Sequence, residues 1–228
     1  MDSKIKSLLK KKILCAVALG AVVFSTSGIG HAMPVADLTK PFDGVAQVNG
    51  NIMNVTGSGQ NNVMNWHSFD VAKAESVIFD KGNHYNNYLN LINDIKASEI
   101  YGNISGGKNI YLINPNGIIF AENGENSVNV GNLYASSRSI TQEAINAFSK
   151  DGTNPFLTPA ASVGGDIINM GNVKAASVTF EGGNVTINDS SKLTNSNSVV
   201  LTGDAVKILS DGAVDVVHSA GPENTSVN

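Results

Sequence analysis

Catalysis needs ionisable or metal-binding side chains held close together, and this chain offers few. Cleavage or elimination at a sugar would require two paired carboxyls, or several carboxylates around a cation. The acidic residues are scattered instead: Asp70, Asp80, Asp94, Glu99, Glu122, Glu125, Asp166 and Glu181. Glu122 and Glu125 are near neighbours, but in Gly/Asn-rich turn sequence, where solvated charge is the expected role. His67, His84 and His218 lack metal-ligand spacing. Arg138 is the one arginine, so an anionic polysaccharide would find no guanidinium cluster. Gly-x-Ser-x-Gly, Walker and dinucleotide-binding signatures are absent. Gly164-Gly165-Asp166 matches a fragment of a calcium-binding nonapeptide whose remainder is missing, and reads as a turn. Asn54, Asn103 and Asn184 open Asn-x-Ser/Thr triplets, as expected in so Asn- and Ser-rich a chain. The residues predict no catalytic site, no metal and no cofactor, and the chain reads as non-enzymatic.

The composition points away from other classes too. The 228 residues are 42% hydrophobic but only 15% charged, against about 25% charged in a typical globular chain. Apolar residues are too plentiful for a disordered chain, and the length allows one or two domains with a sizeable core. A net charge of −4 without basic excess argues against nucleic acid as a partner. The first residues carry Lys4, Lys6, Lys10, Lys11 and Lys12, then the apolar run Ile13 to Phe24, then small and polar residues ending Gly30-His31-Ala32. This is the pattern of a secretory signal spanning residues 1–32, with cleavage between Ala32 and Met33. The competing reading, a membrane anchor, would need a run long enough to cross about 30 Å of hydrocarbon. Cys15 lies within the signal, so the remainder is cysteine-free and cannot be disulfide-stapled. Passage through an oxidising compartment as an unlinked chain would favour that, and so would low cysteine use by chance. Five of the 15 basic residues and one of the 19 acidic ones leave with the signal, giving a net charge of −8 beyond it.

The elements that could position any site are short strands. Val77–Phe79, Ile110–Ile113, Ile118–Phe120, Val178–Phe180, Val185–Ile187 and Val199–Leu201 are β-rich runs separated by Gly, Asn, Ser and Asp. One helix is predicted over Thr141–Ser149, with Ser139-x-x-Gln142 as its capping box. Ser177 to Ile187 aligns with Ser198 to Ile208 at a shift of 21 residues, and Asn129 to Ser137 aligns with Asn169 to Ser177 at a shift of 40. A period near 20 predicts a parallel β-solenoid whose windings stack about 4.8 Å apart. Asn suits its corners and can ladder with its stacked equivalents, whereas stacked like charges would repel. An antiparallel sandwich with accidental repeats is the alternative.

The densest unusual sequence runs from Asn62 to Ser137. Trp66, the only tryptophan, and Phe69 are placed to plug the end of a solenoid. Asn114-Pro115-Asn116-Gly117 is a type I turn signal between two apolar strands. Asn65-Trp66-x-x-Phe69, then Leu112-Ile113-Asn114-Pro115-Asn116-Gly117-Ile118, then Val128 to Leu133 and Ala135-Ser136, stand in one order and spacing. In this they resemble the amino-terminal two-partner secretion domain of filamentous-haemagglutinin-like exoproteins. The resemblance covers Val45 to Ile140 well and continues weakly to Ile208. A second motif of that family, Asn-Pro-Asn-Leu, is absent and the segment Asn83 to Asn93 is short, which is similar to the high-molecular-weight adhesin subset.

The resemblance implies an all-β fold: a right-handed, single-stranded parallel β-helix of the pectin-lyase-like kind, with an amino-terminal cap and extra-helical elements. It implies Sec-dependent export, then recognition in the periplasm by the POTRA domains of a TpsB-type outer-membrane β-barrel transporter, and a passenger that folds at the cell surface of a Gram-negative-type envelope. Asn65, Trp66, Phe69, Asn114, Pro115, Asn116, Gly117 and Ile118 are its expected signature, either contacting the transporter or building the cap. The expected organisation is a signal at 1–32, a solenoid domain at 33–210 with its motif core at 45–140 and further rungs at 160–210, and a tail at 211–228 that begins more rungs or frays. Family exoproteins are far longer, so the chain reads as a leading fragment whose passenger would carry adhesion, haemagglutination or toxicity at a host cell surface. The rival reading is a module that itself binds host glycans or protein.

Overall fold

Alternating side chains on short strands, joined by tight corners, let a chain wind so that every inward residue meets on one axis. The computed structural model, which describes residues 32–80, 85–122, 128–157, 162–188, 191–194 and 196–209, has that arrangement. The basic start, the apolar run, Cys15, His84, Glu125, His218 and the 211–228 tail lie outside the described residues.

Two strands stand apart at the start, β1 (Val35–Ala36) and β2 (Gly44–Asn49). The first rung is β3 (Ile52–Gly57) and β4 (Asn61–Ser68), completed by Val71, which bridges to Ile100. Rung two is β5 (Ser76–Phe79), β6 (Asn87–Ile92) and β7 (Ser98–Ile100). Rung three is β8 (Asn103–Gly106), β9 (Asn109–Ile113) and β10 (Ile118–Phe120). Rung four is β11 (Val128–Asn129), β12 (Asn132–Ser136) and β13 (Ile167–Asn169). Rung five is β14 (Asn172–Lys174), β15 (Ser177–Glu181) and β16 (Asn184–Ile187). Rung six is β17 (Lys192–Thr194), β18 (Ser198–Thr202) and β19 (Ala205–Ile208).

First strands stack into a seven-stranded sheet with β2 at its edge, second strands into a seven-stranded sheet with β1 at its edge, and third strands into a five-stranded sheet. Rung-to-rung pairings are parallel, which excludes the sandwich. β1 on β4 and β2 on β3 are antiparallel, so these strands close the first rung as a cap. The axis is filled by one apolar cluster running from Met53, Met64 and Trp66 through Phe79, Phe120 and Phe180 to Leu193 and Val199.

The 21-residue repeat is the register itself: Ser177 pairs with Ser198, Val178 with Val199 and Ile187 with Ile208. The 40-residue alignment is corrected. Asn132 pairs with Ser177, a shift of 45, and Asn129 pairs with Lys174. The Asn-x-Gly-Asn pattern recurs because it makes a good corner, and it does so at two different corners: Asn132 opens a second strand, Asn172 a first strand. Charges are kept apart along the stack. Glu99 faces Ile119, Lys174 faces Asn129 and Thr194, and Glu181 faces Ser136 and Thr202.

An amide ladder runs down the outer edge of the second sheet. Asn87 Nδ2 donates to Asn61 Oδ1 (2.7 Å), Asn109 to Asn87 (2.8 Å), Asn132 to Asn109 (2.7 Å), and the Ser177 hydroxyl to Asn132 Oδ1 (2.8 Å). Every donor points toward the cap. Asn109→Ala removes a donor and an acceptor from the middle of this chain, leaving Asn87 and Asn132 each short of a partner. We expect a loss of about 1–3 kcal/mol, read as a lower urea midpoint with an unchanged slope; a midpoint equal to that of the parent chain would show that the ladder adds nothing.

The predicted helix interrupts rung four, between β12 and β13, as α1 (Gln142–Asp151). Its cap is Thr141, whose side chain accepts from Ala144 N, and not Ser139, whose hydroxyl lies 2.5 Å from that of Ser162. Gly152, at φ 76°, ends it with its N–H donating to Phe148 O. A 3-10 turn, Pro155–Leu157, follows. Both lie over the outward apolar row of the second sheet, where Phe148 is buried against Val63, Leu89, Tyr111 and Ile113. No helix among the described residues is long and apolar enough to cross a membrane.

Candidate functional site: a stitched corner

Because Trp66 pairs with Ile92, and Leu91 with Ile113, the residues after β4, β6 and β9 stack at one corner of the solenoid. The two halves of the signature, far apart in sequence, therefore stand on the same ridge two rungs apart.

In rung one, Trp66 points inward and is fully buried. Its ring meets Phe42 edge-on at 4.9 Å and Phe69 at 5.2 Å. Its Nε1 donates to Asn90 Oδ1 at 2.9 Å, and Asn90 Nδ2 donates to Tyr111 O at 2.9 Å, so a buried polar relay runs from the cap to rung three. Asn65 points outward but is covered, its Nδ2 donating to Pro41 O at 2.7 Å while Asp37 N donates to its carbonyl. Met33, expected to become the first residue, is half-buried against the core beside this cap.

In rung three, Asn114 is fully buried. Its Nδ2 donates to Lys96 O (3.1 Å) and Ser98 Oγ (3.0 Å), and its Oδ1 accepts from Asn116 N (2.9 Å). Gly117 N donates to Asn114 O, the closure expected of the turn. Gly117 has φ 103°, and a Cβ there would stand 2.5 Å from Asp166 O, so only glycine fits. Ile118 enters the core between Ser98 and Ile167. Rung four is tied on from the other side, with Gly165 N donating to Pro115 O and Ile118 N to Asp166 O. Gly164-Gly165-Asp166 is thus the next stacked corner, in keeping with its reading as a turn.

The exposed surface of this ridge is small. Pro115 and Asn116 are exposed, with Asn116 Nδ2 donating to Asp94 O at 2.7 Å. Ile95 beside them is 94% exposed. Lys96 Nζ meets Asp70 Oδ2 at 2.8 Å, which raises the lysine's pKa through that hydrogen bond and the aspartate's charge. Of the eight signature residues, Asn65, Trp66, Phe69, Asn114, Gly117 and Ile118 are buried.

Of the scattered histidines, only His67 is described, and it is exposed. Among the described residues no group of three or more His, Cys, Asp or Glu is placed to hold a metal ion. Sequence reasoning missed Asn90, which satisfies the buried indole, and the partner of Arg138. Its guanidinium forks onto Glu181, with Nη2 to Oε1 at 2.8 Å. An asparagine between Tyr88 and Ile92 on one face of an alternating strand was the available signal for the first. The second joins residues 43 apart, and only the register reveals it.

A family model described as TPS secretion domain matches residues 32–220. The chain is similar to a heme/hemopexin-binding protein of Haemophilus influenzae strain Rd, 27% identical over 175 residues, 73% of this chain and 19% of that protein. A second heme/hemopexin-binding protein of Haemophilus influenzae is 30% identical over 84 residues, 37% of this chain and 9% of the relative. This chain therefore spans about a fifth or less of the length of these relatives. Among solved structures, the crystal structure of the HMW1 secretion domain from Haemophilus influenzae is similar at 22% identity with a TM-score of 0.49, covering 78% of this chain and 45% of that one.

Proposed function

Because the chain belongs to the TPS secretion domain family, we propose that it targets a two-partner exoprotein to a cognate TpsB-type β-barrel transporter in the outer membrane. The Sec machinery delivers it to the periplasm and its signal is cleaved between Ala32 and Met33. The POTRA domains of the transporter then engage it, and the solenoid seeds folding of the passenger at the cell surface. The family is a secretion domain rather than an enzyme family.

The observation that carries this reading is the split within the signature. Six of its residues are buried and hold one corner rigid, while Pro115 and Asn116 project from it beside Ile95. Rigid support for a small exposed feature suits recognition, because little side-chain freedom is lost on binding. Folding outside supplies the directionality, at about 0.05–0.15 kcal/mol per residue, since no nucleotide is hydrolysed at an outer membrane. The binding named for the relatives belongs to proteins of which this region is a small part. Adhesion to a host surface is assigned to the passenger.

The test is Asn116→Ala, which removes one exposed side chain and its bond to Asp94 O. The chain should fold with a melting temperature near that of the parent while its secretion falls about tenfold or more, a loss of at least about 1.4 kcal/mol in recognition. Secretion at the parent level by a folded variant would remove Asn116 from the recognised surface, and a variant that fails to fold would make its role structural.

A further inference from the structure

Stacked repeats ordinarily feel only their neighbours, so a solenoid's stability is a sum of local terms. The helical excursion from rung four departs from that rule. Phe148 joins one buried apolar cluster with Val63 of rung one, Leu89 of rung two and Tyr111 of rung three, its ring edge-on to Tyr111 at 5.5 Å. Gly152 lies against Asn61 and Asn87, the first two members of the amide ladder. The chain then returns, and Phe156 meets Tyr134 of rung four at 5.7 Å. The excursion thus reaches back across every rung formed before it.

Arg138 links this segment forward. Its guanidinium lies 4.7 Å above the Phe156 ring and donates from Nη1 to Pro155 O at 3.0 Å. Nε and Nη2 fork onto Glu181, the last residue of β15 in rung five, and the Ser136 hydroxyl donates to the same carboxylate at 2.8 Å. The two side chains are 6% and 12% exposed. Among the described residues no ion pair reaches rung six.

We infer that the excursion is a strap that fuses rungs one to five into a single cooperative block, with Arg138–Glu181 as its clasp, and that rung six is the first rung able to open and close alone. The clasp forms only when rung five is laid down, so rung five joins the block through it. This holds whatever the transporter recognises, since it rests on contacts inside the chain.

Native-state hydrogen exchange on the whole chain across a urea series tests it. In the parent chain, amides of Val63, Leu112 and Val178 should open with one free energy and one urea dependence, and Leu201 of rung six with smaller values. In Glu181→Gln, exchange at Val178 and Phe180 should rise at least about tenfold to join rung six, while Val63 and Leu112 keep their protection. If that variant does not fold, Arg138→Lys keeps the charge but breaks the fork onto Glu181 and is read the same way. The inference is overturned if rung five of the parent opens apart from rung one. It is also overturned if either variant raises exchange equally in all rungs, or in none.

Discussion

Trp66→Ala should leave the chain unfolded at ordinary temperature, or close to it. The substitution empties the space between Phe42 and Phe69 at the capped end of the core. Truncating a buried aromatic costs about 3–5 kcal/mol. Asn90 Oδ1 also loses its donor in a site without solvent access, for about 1–3 kcal/mol more. A domain is stable by only about 5–15 kcal/mol, so the sum takes most or all of it. Far-UV circular dichroism on heating is the measurement, since the only tryptophan is gone. Trp66→Phe refills most of the volume but not the hydrogen bond and should melt between the two. A Trp66→Ala chain melting within a few degrees of the parent would show that the cap is not anchored there.

Arg138→Met should cost a similar amount, about 3–5 kcal/mol, and its cost should depend on pH. In the parent chain, burial pushes the Glu181 carboxyl up, but hydrogen bonds from Arg138 and Ser136, with the guanidinium charge, hold it below the usual value. A carboxyl lowered in the folded state adds stability that is fully present above its unfolded pKa of about 4.3. That stability is lost as pH falls through the lower folded value. In the variant the carboxylate stays buried without its cation, so acid relieves it. The stability gap between the two chains should therefore be widest near neutral pH and narrow on acidification, from above the carboxyl's usual value, where the stranded carboxylate of the variant takes up its proton, down to the parent's lowered value. Urea midpoints at several pH values measure it. A gap that stays constant on acidification would mean that Glu181 is not charged and paired in the folded chain.

How far these features could be read from the sequence depends on whether their signal was local. Strands such as Val178–Phe180, the Asn114–Gly117 turn and the helix near Thr141 are encoded by neighbouring residues and lie where expected. Fixed-period signals carried further: the 21-residue shift equals the register of the second and third strands because the corner between them has the same length in rungs five and six, whereas the first strands pair at a shift of 20. The ladder escaped exact prediction for the converse reason. Asn61, Asn87, Asn109 and Asn132 are unevenly spaced, since the loops between strands vary, and only pairing aligns them. The helix cap was misassigned by two residues because Ser139 and Thr141 are both competent acceptors, and the chain's path toward Ser162 draws Ser139 away. Asn65, expected either to contact the transporter or to build the cap, is tied to Pro41 under the cap, a contact with no local trace.

A stack of parallel strands with a bare first rung would be a template at that end. Its unpaired backbone groups would accept the last rung of a second molecule, and copies would join head to tail into fibres. In this chain β1 and β2 lie antiparallel on β4 and β3, so two of the three sheets end on a strand running the wrong way for such docking. The cap therefore withdraws two of the three sheets from end-to-end docking at that face and guards the solenoid against self-polymerisation there.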